Sequence, residues 1–241
     1  MANTDPKNGE ELGAPIFQAT VAAAMEYEVD VICTATSGRL MKKGVQFAGL
    51  GWADRVGGGA LGIAEDTMLW FCSDNGPEGK SGKAPGSAGH LRGRKRSLYE
   101  GGVRVPGILE WPAHVKGGRK TEFPAVTSDY LPTVLDALDI EYPDSRPLDG
   151  ISLLPLIKGR VQQRDSPIGF QSAKQLSWVT QRHKLYSGDN GKAWELYDLI
   201  EDPGEKTNLA KENPELVKEM ATAFRQWQRS CRKSDSGGDY K

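Results

Sequence analysis

The sequence predicts an α/β fold that ends in a small antiparallel sheet covered by a helix. Three observations predict it. Two apolar runs, Thr67–Cys72 and Val105–Trp111, are bounded by turn-forming residues and are too short to span a membrane, so each reads as a buried strand. Leu131, Val134, Leu135 and Leu138 recur at helical spacing and define one apolar helix face. Beyond about residue 165 the texture changes to short runs containing Trp178-Val179, Lys184-Leu185-Tyr186 and Trp194-Glu195-Leu196-Tyr197, which read as strands.

Local signals support each element. Asp129 stands where it would cap the central helix, and Pro132 falls in the first turn, the only place a helix tolerates it. Ser187-Gly188-Asp189-Asn190-Gly191 marks a turn between two of the late strands. Asn213-Pro214-Glu215 combines a cap, a proline at the first helical position and a first-turn acid. Leu216, Met220, Phe224 and Trp227 then form a single apolar stripe, suited to covering the sheet.

Composition narrows the function. The 241 residues carry a net charge of −1, which gives no overall attraction to nucleic acid or to an anionic membrane, so any preference for anions must be local. Three cysteines, Cys33, Cys72 and Cys231, make no disulfide framework, and Cys72 reads as a small core residue. No run of 18 apolar residues occurs, so no transmembrane helix is expected. The first eleven residues lack the basic start and apolar core of a signal peptide.

Chemistry concentrates just after the first strand. Asp74-Asn75-Gly76-Pro77 follows Cys72 directly, at the carboxyl end of a strand, where open α/β sheets bind ligands. A carboxylate beside an amide oxygen suits Ca²⁺ or Mg²⁺ better than a thiolate-seeking metal, although the same four residue types also favour a plain turn. Residues 76–94 form a polar Gly/Ser/Lys loop too glycine-rich to pack, and Lys95 closes it with a cation suited to an anionic substrate. Arg92, Arg94 and Arg96 flank that lysine and read as surface charges, which leaves a solvated basic loop as the alternative.

Six ordered blocks resemble the second half of a type I sulfatase of the arylsulfatase A and N-acetylgalactosamine-6-sulfatase group. They are Ser73–Glu78; Leu91–Lys95; Tyr99-Glu100-Gly101-Gly102-Val103-Arg104-Val105-Pro106; Trp111-Pro112-Ala113-His114; Asp149-Gly150-Ile151-Ser152-Leu153-Leu154-Pro155; and Glu195–Leu199 with Asp202-Pro203-Gly204-Glu205 and Asn208-Leu209-Ala210. The resemblance covers about residues 61 to 230. It implies a partial alkaline-phosphatase-like sandwich, and it divides the chain into a divergent segment over 1–60, the C-terminal part of a catalytic domain over 61–164, a sheet-plus-helix subdomain over 165–231 and a disordered tail over 232–241. Met25–Asp30 faintly echoes a family helix before the pattern dissolves into a glycine-crowded stretch. Because Leu61–Thr67 resumes the family pattern abruptly, a truncated gene with a shifted frame over roughly 31–60 is the preferred reading of that segment, and a flexible segment the bland one.

The resemblance implies hydrolysis of a sulfate monoester of a small molecule or sugar, with Asp74 and Asn75 as metal ligands for Ca²⁺ and Lys95 as the sulfate contact. It implies secreted, periplasmic or lysosomal relatives. His90, five positions before Lys95, is a weak candidate for protonating a leaving group, while His114 and His183 read as structural. No histidine lies at zinc-ligand spacing from a cysteine or another histidine. Glu100 and Arg104, four apart, read as an ion pair that orders the Gly101-Gly102 turn, ahead of a substrate contact. Two family features are absent. The Asp-Asp pair that completes the metal site does not occur, and no Cys/Ser-x-Pro-x-Arg string offers a formylglycine nucleophile. Cys33 has Ala35 and Ser37 at the required places, Cys72 has Asp74 and Gly76, and Cys231 has Lys233 and Asp235. The chain is therefore expected to be inactive alone. The alternatives are a phosphoesterase of the same superfamily, a non-catalytic sulfated-glycan-binding remnant with the 92–96 loop as its patch, and a chain that does not fold because missing strands expose its sheet edges.

Overall fold

The computed structural model describes residues 63–79, 83, 86–142 and 146–239. The expectations placed on residues 1–60, including the helix over Met25–Asp30 and the surroundings of Cys33, lie outside the described residues. The chain divides into two compact units. Among the described residues, the smaller comprises 63–72 and 107–120, and the larger comprises 73–106 and 121–239 except for the gaps above. No helix among them is long and apolar enough to cross a membrane.

In the smaller unit, β1 (Leu69–Cys72) pairs antiparallel with β2 (Gly107–Glu110), with Trp70 opposite Leu109 and Phe71 opposite Ile108. Met68 and Leu69 are buried, but β2 is largely exposed, with Ile108 at 39%. A strand buried on both faces is therefore not what the 105–111 run forms. An apolar run states a tendency to bury; what packs over it is decided elsewhere in the chain. The Trp111–His114 turn is closed by the Val115 amide donating to the Trp111 carbonyl at 2.7 Å, and His114 stacks on Trp111 with ring centres 3.9 Å apart. His114 is structural, as the sequence suggests.

In the larger unit, the one-turn helix α1 (Glu100–Val103) precedes a 3-10 turn (Thr127–Asp129), α2 (Tyr130–Ala137) and α3 (Leu154–Ile157). Asp129 stands at the N-cap position of α2, as expected, but its side chain makes no cap bond to that helix. Its carboxylate turns inward, accepting from the Val126 amide at 2.8 Å, the Ile151 amide at 2.9 Å and both arms of the Arg164 guanidinium at 2.8 and 3.0 Å. Both side chains of that pair are wholly buried. The capping signal was right about the helix start and wrong about the carboxylate's partner, because Arg164 lies 35 positions away.

Four strands then form an antiparallel sheet in chain order: β3 (Ile168–Ser172), β4 (Gln175–Val179), β5 (His183–Ser187) and β6 (Glu195–Asp198). Three of these match the expected runs. β3 has no counterpart in the sequence reading, since Gly169, Gln171 and Ser172 dilute its pattern. Gly169 is where the Trp227 ring lies against the strand; a Cβ there would come within 2.6 Å of the indole. The β5–β6 turn behaves as expected, with Asn190 and Gly191 at positive φ and Asp189 accepting from the Lys192 and Ala193 amides.

The helix α4 (Pro214–Asp235) covers one face of this sheet. Met220 and Phe224 pack with Leu176, Trp178, Leu185 and Leu196, and Leu216 and Trp227 close the margins. Pro214 and Glu215 open the helix and Arg232 and Lys233 end it, as the helix dipole favours. Asn213 is not a side-chain cap; its amide donates to the Leu209 carbonyl. The helix runs four residues past the boundary expected at 231, and Lys233 pairs with Asp239 at 2.8 Å. The opposite face of the sheet is also covered. Leu98, Tyr99 and Val103 pack there against Phe170, Tyr186, Tyr197 and Leu199, so the segment leading into α1 is the second lid.

Candidate functional site

That second lid carries the candidate site. The Asp74–Glu78 loop is short and held from within: the Ser73 hydroxyl donates to the Asn75 carbonyl at 2.8 Å, and the Gly76 amide donates to the Gly102 carbonyl at 2.9 Å. A Cβ on Gly76 would overlap the Gly101 carbonyl oxygen, so this loop reaches α1 only because position 76 is glycine. Asp74 is exposed and Asn75 half-buried, and among the described residues neither side chain hydrogen-bonds to another group.

Lys95 is tied to the same loop. Its amide donates to the Pro77 carbonyl at 3.2 Å. Its ammonium lies 3.5 Å from Glu78 Oε2, while Arg96 holds Glu78 Oε1 at 2.5 Å. The Arg96 hydrogen bond, which outweighs the effect of burial, keeps the Glu78 carboxyl below the usual range. The structure thus brings Asp74, Asn75 and Lys95 onto one pair of adjoining loops.

Arg94 is half-buried, and Arg92, exposed as expected, is nonetheless engaged by groups across the fold. Arg92 lies over the Tyr99 ring, 3.8 Å from its centre, and donates to the Tyr197 hydroxyl at 2.8 Å and the Glu205 carbonyl at 3.2 Å. Tyr99 and Tyr197 both donate to Glu195 Oε2. Burial, joined by the bond to the Glu195 carboxylate, raises both phenols far above their ordinary value. Arg94 donates to the Glu78 carbonyl at 2.9 Å and the Gly86 carbonyl at 3.3 Å, bracing the loop from inside.

The expected Glu100–Arg104 ion pair is present, but it is long and not the main tie of Glu100. Arg104 stands 3.9 Å from Glu100 Oε2, and its shorter partner is Glu122 at 2.9 Å. The close partner of Glu100 is Lys184 of β5, whose ammonium donates to Glu100 Oε1 at 2.9 Å and lies 3.1 Å from Glu205 Oε1. Glu205 Oε2 accepts from the Glu100 amide at 2.7 Å. Burial, opposed by Lys184, raises the Glu205 carboxyl. Lys184 and Glu205 were missed from sequence. A lysine in a short strand reads as solvent-facing, and only the Asp-Pro-Gly-Glu block hinted at Glu205.

The remaining candidates sit apart from this chemistry. His90 is exposed, and its carbonyl adjoins Gly204. His183 is half-buried at the start of β5, its amide bonded to the Thr180 hydroxyl, and burial lowers its imidazole below the ordinary value. Cys72 and Cys231 are free thiols. Among the described residues no three His, Cys, Asp or Glu side chains converge as a metal site would require. Asp74 and Asn75 supply two hard oxygens of the six to eight that Ca²⁺ takes, so they fit one side of such a site and not the whole. A cleft lined by Val126, Asp149, Gly169, Trp178 and Trp227 does not include these residues, and the Trp227 indole donates to Asp149 there at 3.0 Å.

Comparison with known proteins places these features in a family context. The family model described as N-sulphoglucosamine sulphohydrolase, C-terminal, matches residues 90–230. Human steryl-sulfatase is 40% identical over 110 residues, 44% of this chain and 19% of that protein. A sulfatase of Formosa agariphila is 34% identical over 195 residues, 71% of this chain and 34% of that protein. Bovine arylsulfatase A is 30% identical over 195 residues, 70% of this chain and 38% of that protein. The chain spans less than half the length of these curated relatives. Among solved structures, Ps i-CgsB in complex with k-i-k-neocarrahexaose is similar with a TM-score of 0.66 and 28% identity over 76% of this chain and 41% of that one. A structure from a glycosaminoglycan-metabolising locus of Bacteroides thetaiotaomicron has a TM-score of 0.61 and 27% identity over 71% of this chain and 41% of that one.

Proposed function

Because this chain belongs to the sulfatase family and carries its C-terminal, alkaline-phosphatase-like α/β part, we propose that it is the anion-recognising portion of a sulfuric ester hydrolase acting on a sulfated sugar. The observation that supports the reading is the bond from the Lys95 amide to the Pro77 carbonyl, which ties the Lys95 stretch to the loop that bears Asp74 and Asn75. Lys95 would take a sulfate oxygen as a point charge, displacing Glu78 from its ammonium. Asp74 and Asn75 would hold Ca²⁺, with Mg²⁺ the smaller alternative, and further oxygen ligands would come from elsewhere. When bound, such an ion supplies positive charge toward the sulfate oxygens. The sugar follows from the relatives: Ps i-CgsB is solved with a neocarrahexaose.

The sequence contains no Cys/Ser-x-Pro-x-Arg string, so the chain itself provides no formylglycine and no turnover is expected of it. With purified protein and p-nitrophenyl sulfate, no sulfate release should be seen; Lys95-dependent release would overturn that expectation. The binding half is tested by calorimetric titration with glucosamine 6-sulfate in Ca²⁺. Lys95→Ala should weaken binding about tenfold, the worth of one charged hydrogen bond, and Asp74→Asn should remove the Ca²⁺ dependence. No binding by the unaltered chain would sink the reading. Tighter binding of the matching phosphate ester would favour a phosphoesterase, and binding that ignores both Ca²⁺ and Asp74 would favour a glycan-binding remnant centred on residues 92–96.

A further inference from the structure

We propose that Lys184 and Glu205 are positioning residues: their buried ring with Glu100 fixes the backbone that presents Lys95 and the Asp74–Asn75 pair together. The inference rests on the reading of Lys95 and Asp74–Asn75 given above, and it assigns them a support that neither contacts directly.

The ring is closed. Lys184 Nζ reaches Glu100 Oε1 at 2.9 Å and Glu205 Oε1 at 3.1 Å, and Glu205 Oε2 returns to the Glu100 amide at 2.7 Å. Lys184 is 0% exposed, Glu205 1% and Glu100 5%. Charges so deeply removed from water persist only when each has a partner, so the three positions are mutually determined. Glu205 also sits at φ 54°, a backbone state that non-glycine residues rarely adopt. Its surroundings therefore hold it there.

From Glu100 the support passes through backbone alone. The Gly101 amide donates to the Arg92 carbonyl at 2.6 Å, and a Cβ on Gly102 would overlap the Ser97 carbonyl oxygen. The stretch 92–97, with Lys95 at its centre, is thus seated on α1. The Gly102 carbonyl accepts from the Gly76 amide, which seats the Asp74–Pro77 loop on the same turn. Arg92 ties the 92–97 stretch to Glu205 directly as well, donating to the Glu205 carbonyl. The Asp202–Glu205 block therefore serves the anion site from a distance: it clamps α1, and α1 carries both loops.

The test is amide hydrogen exchange on the full chain, with Lys95 followed separately by NMR of ¹³C-methylated lysines during titration with inorganic sulfate. In Lys184→Met, the Gly76, Lys95 and Gly101 amides should exchange about tenfold faster, as local opening would allow. The β4–β5 ladder amides of Trp178 and Leu185 should change less than about twofold. Sulfate should then bind at Lys95 about tenfold more weakly. A uniform rise across the sheet would mark a purely stabilising role and overturn the proposal, as would no change at all. If Lys184→Met does not fold, the charge-free variant K184M/E100Q/E205Q is read in its place, since replacing a whole buried ion cluster is commonly tolerated; wild-type protection of the three amides in it overturns the proposal. If the unaltered chain shows no sulfate response while the three amides loosen selectively, positioning stands and the assignment of Lys95 to sulfate falls.

Discussion

Lys95 and Glu78 form the pair on which anion recognition turns. The contact is long at 3.5 Å, and both side chains are over a third exposed. Such an exposed pair is weak and yields readily to a better anion. Glu78→Gln should therefore strengthen binding of glucosamine 6-sulfate by up to about fivefold, as read by calorimetry; weaker binding would mean that Glu78 helps to place the ligand. Neighbouring residues show how similar charges part ways. The Arg96 side chain pairs with Glu78, whereas the Arg92 side chain, also exposed, is engaged with Tyr99, Tyr197 and the Glu205 carbonyl. Three arginines in a five-residue run look alike in sequence, and the difference lies in what each one meets across the fold.

At the scale of elements, the C-terminal sheet explains most of the organisation. Three of its strands, β4, β5 and β6, are buried at nearly every position rather than at alternate ones. The apolar stripe of α4 accounts for one parity, and the segment from Leu98 to Val103 accounts for the other. The Asp149–Pro155 block makes the corresponding tie for α2. Gly150 packs on the Ser128 carbonyl, the Ile151 amide reaches Asp129, and the Leu153 amide reaches the Thr133 hydroxyl at 2.8 Å. Arg164→Met should strand the Asp129 carboxylate in the interior and cost about 3–5 kcal/mol. In urea unfolding, the double change D129N/R164M should recover a large part of that loss; equal losses in the single and double variants would show that the pair is not the source.

For the molecule as a whole, net charge is −1, so binding of anions depends on the site and not on the overall field. Stability carries a pH signature from Glu205. Burial raises its carboxyl above the ordinary 4.5, so the folded state binds a proton more tightly than the unfolded one. Its contribution is fullest below 4.5 and is lost as pH climbs through the raised value. Wild-type minus Glu205→Gln stability, from urea midpoints at successive pH, should decline across that window; a flat difference would mean Glu205 titrates normally in the fold. The sequence alone carried the α/β class, the helix starts at Asn213 and Tyr130, three of the four C-terminal strands, and the order of motifs that identifies the family. These are legible because periodicity, caps and turn residues act between near neighbours. Tertiary structure alone decided the exposure of β2, the partners of Glu100 and Asp129, the structural use of Arg92 and Arg94, and the burial of Lys184. Each of these depends on a group that arrives from a distant part of the chain. A charge's role is fixed by the partner that replaces its water, and no local pattern names that partner.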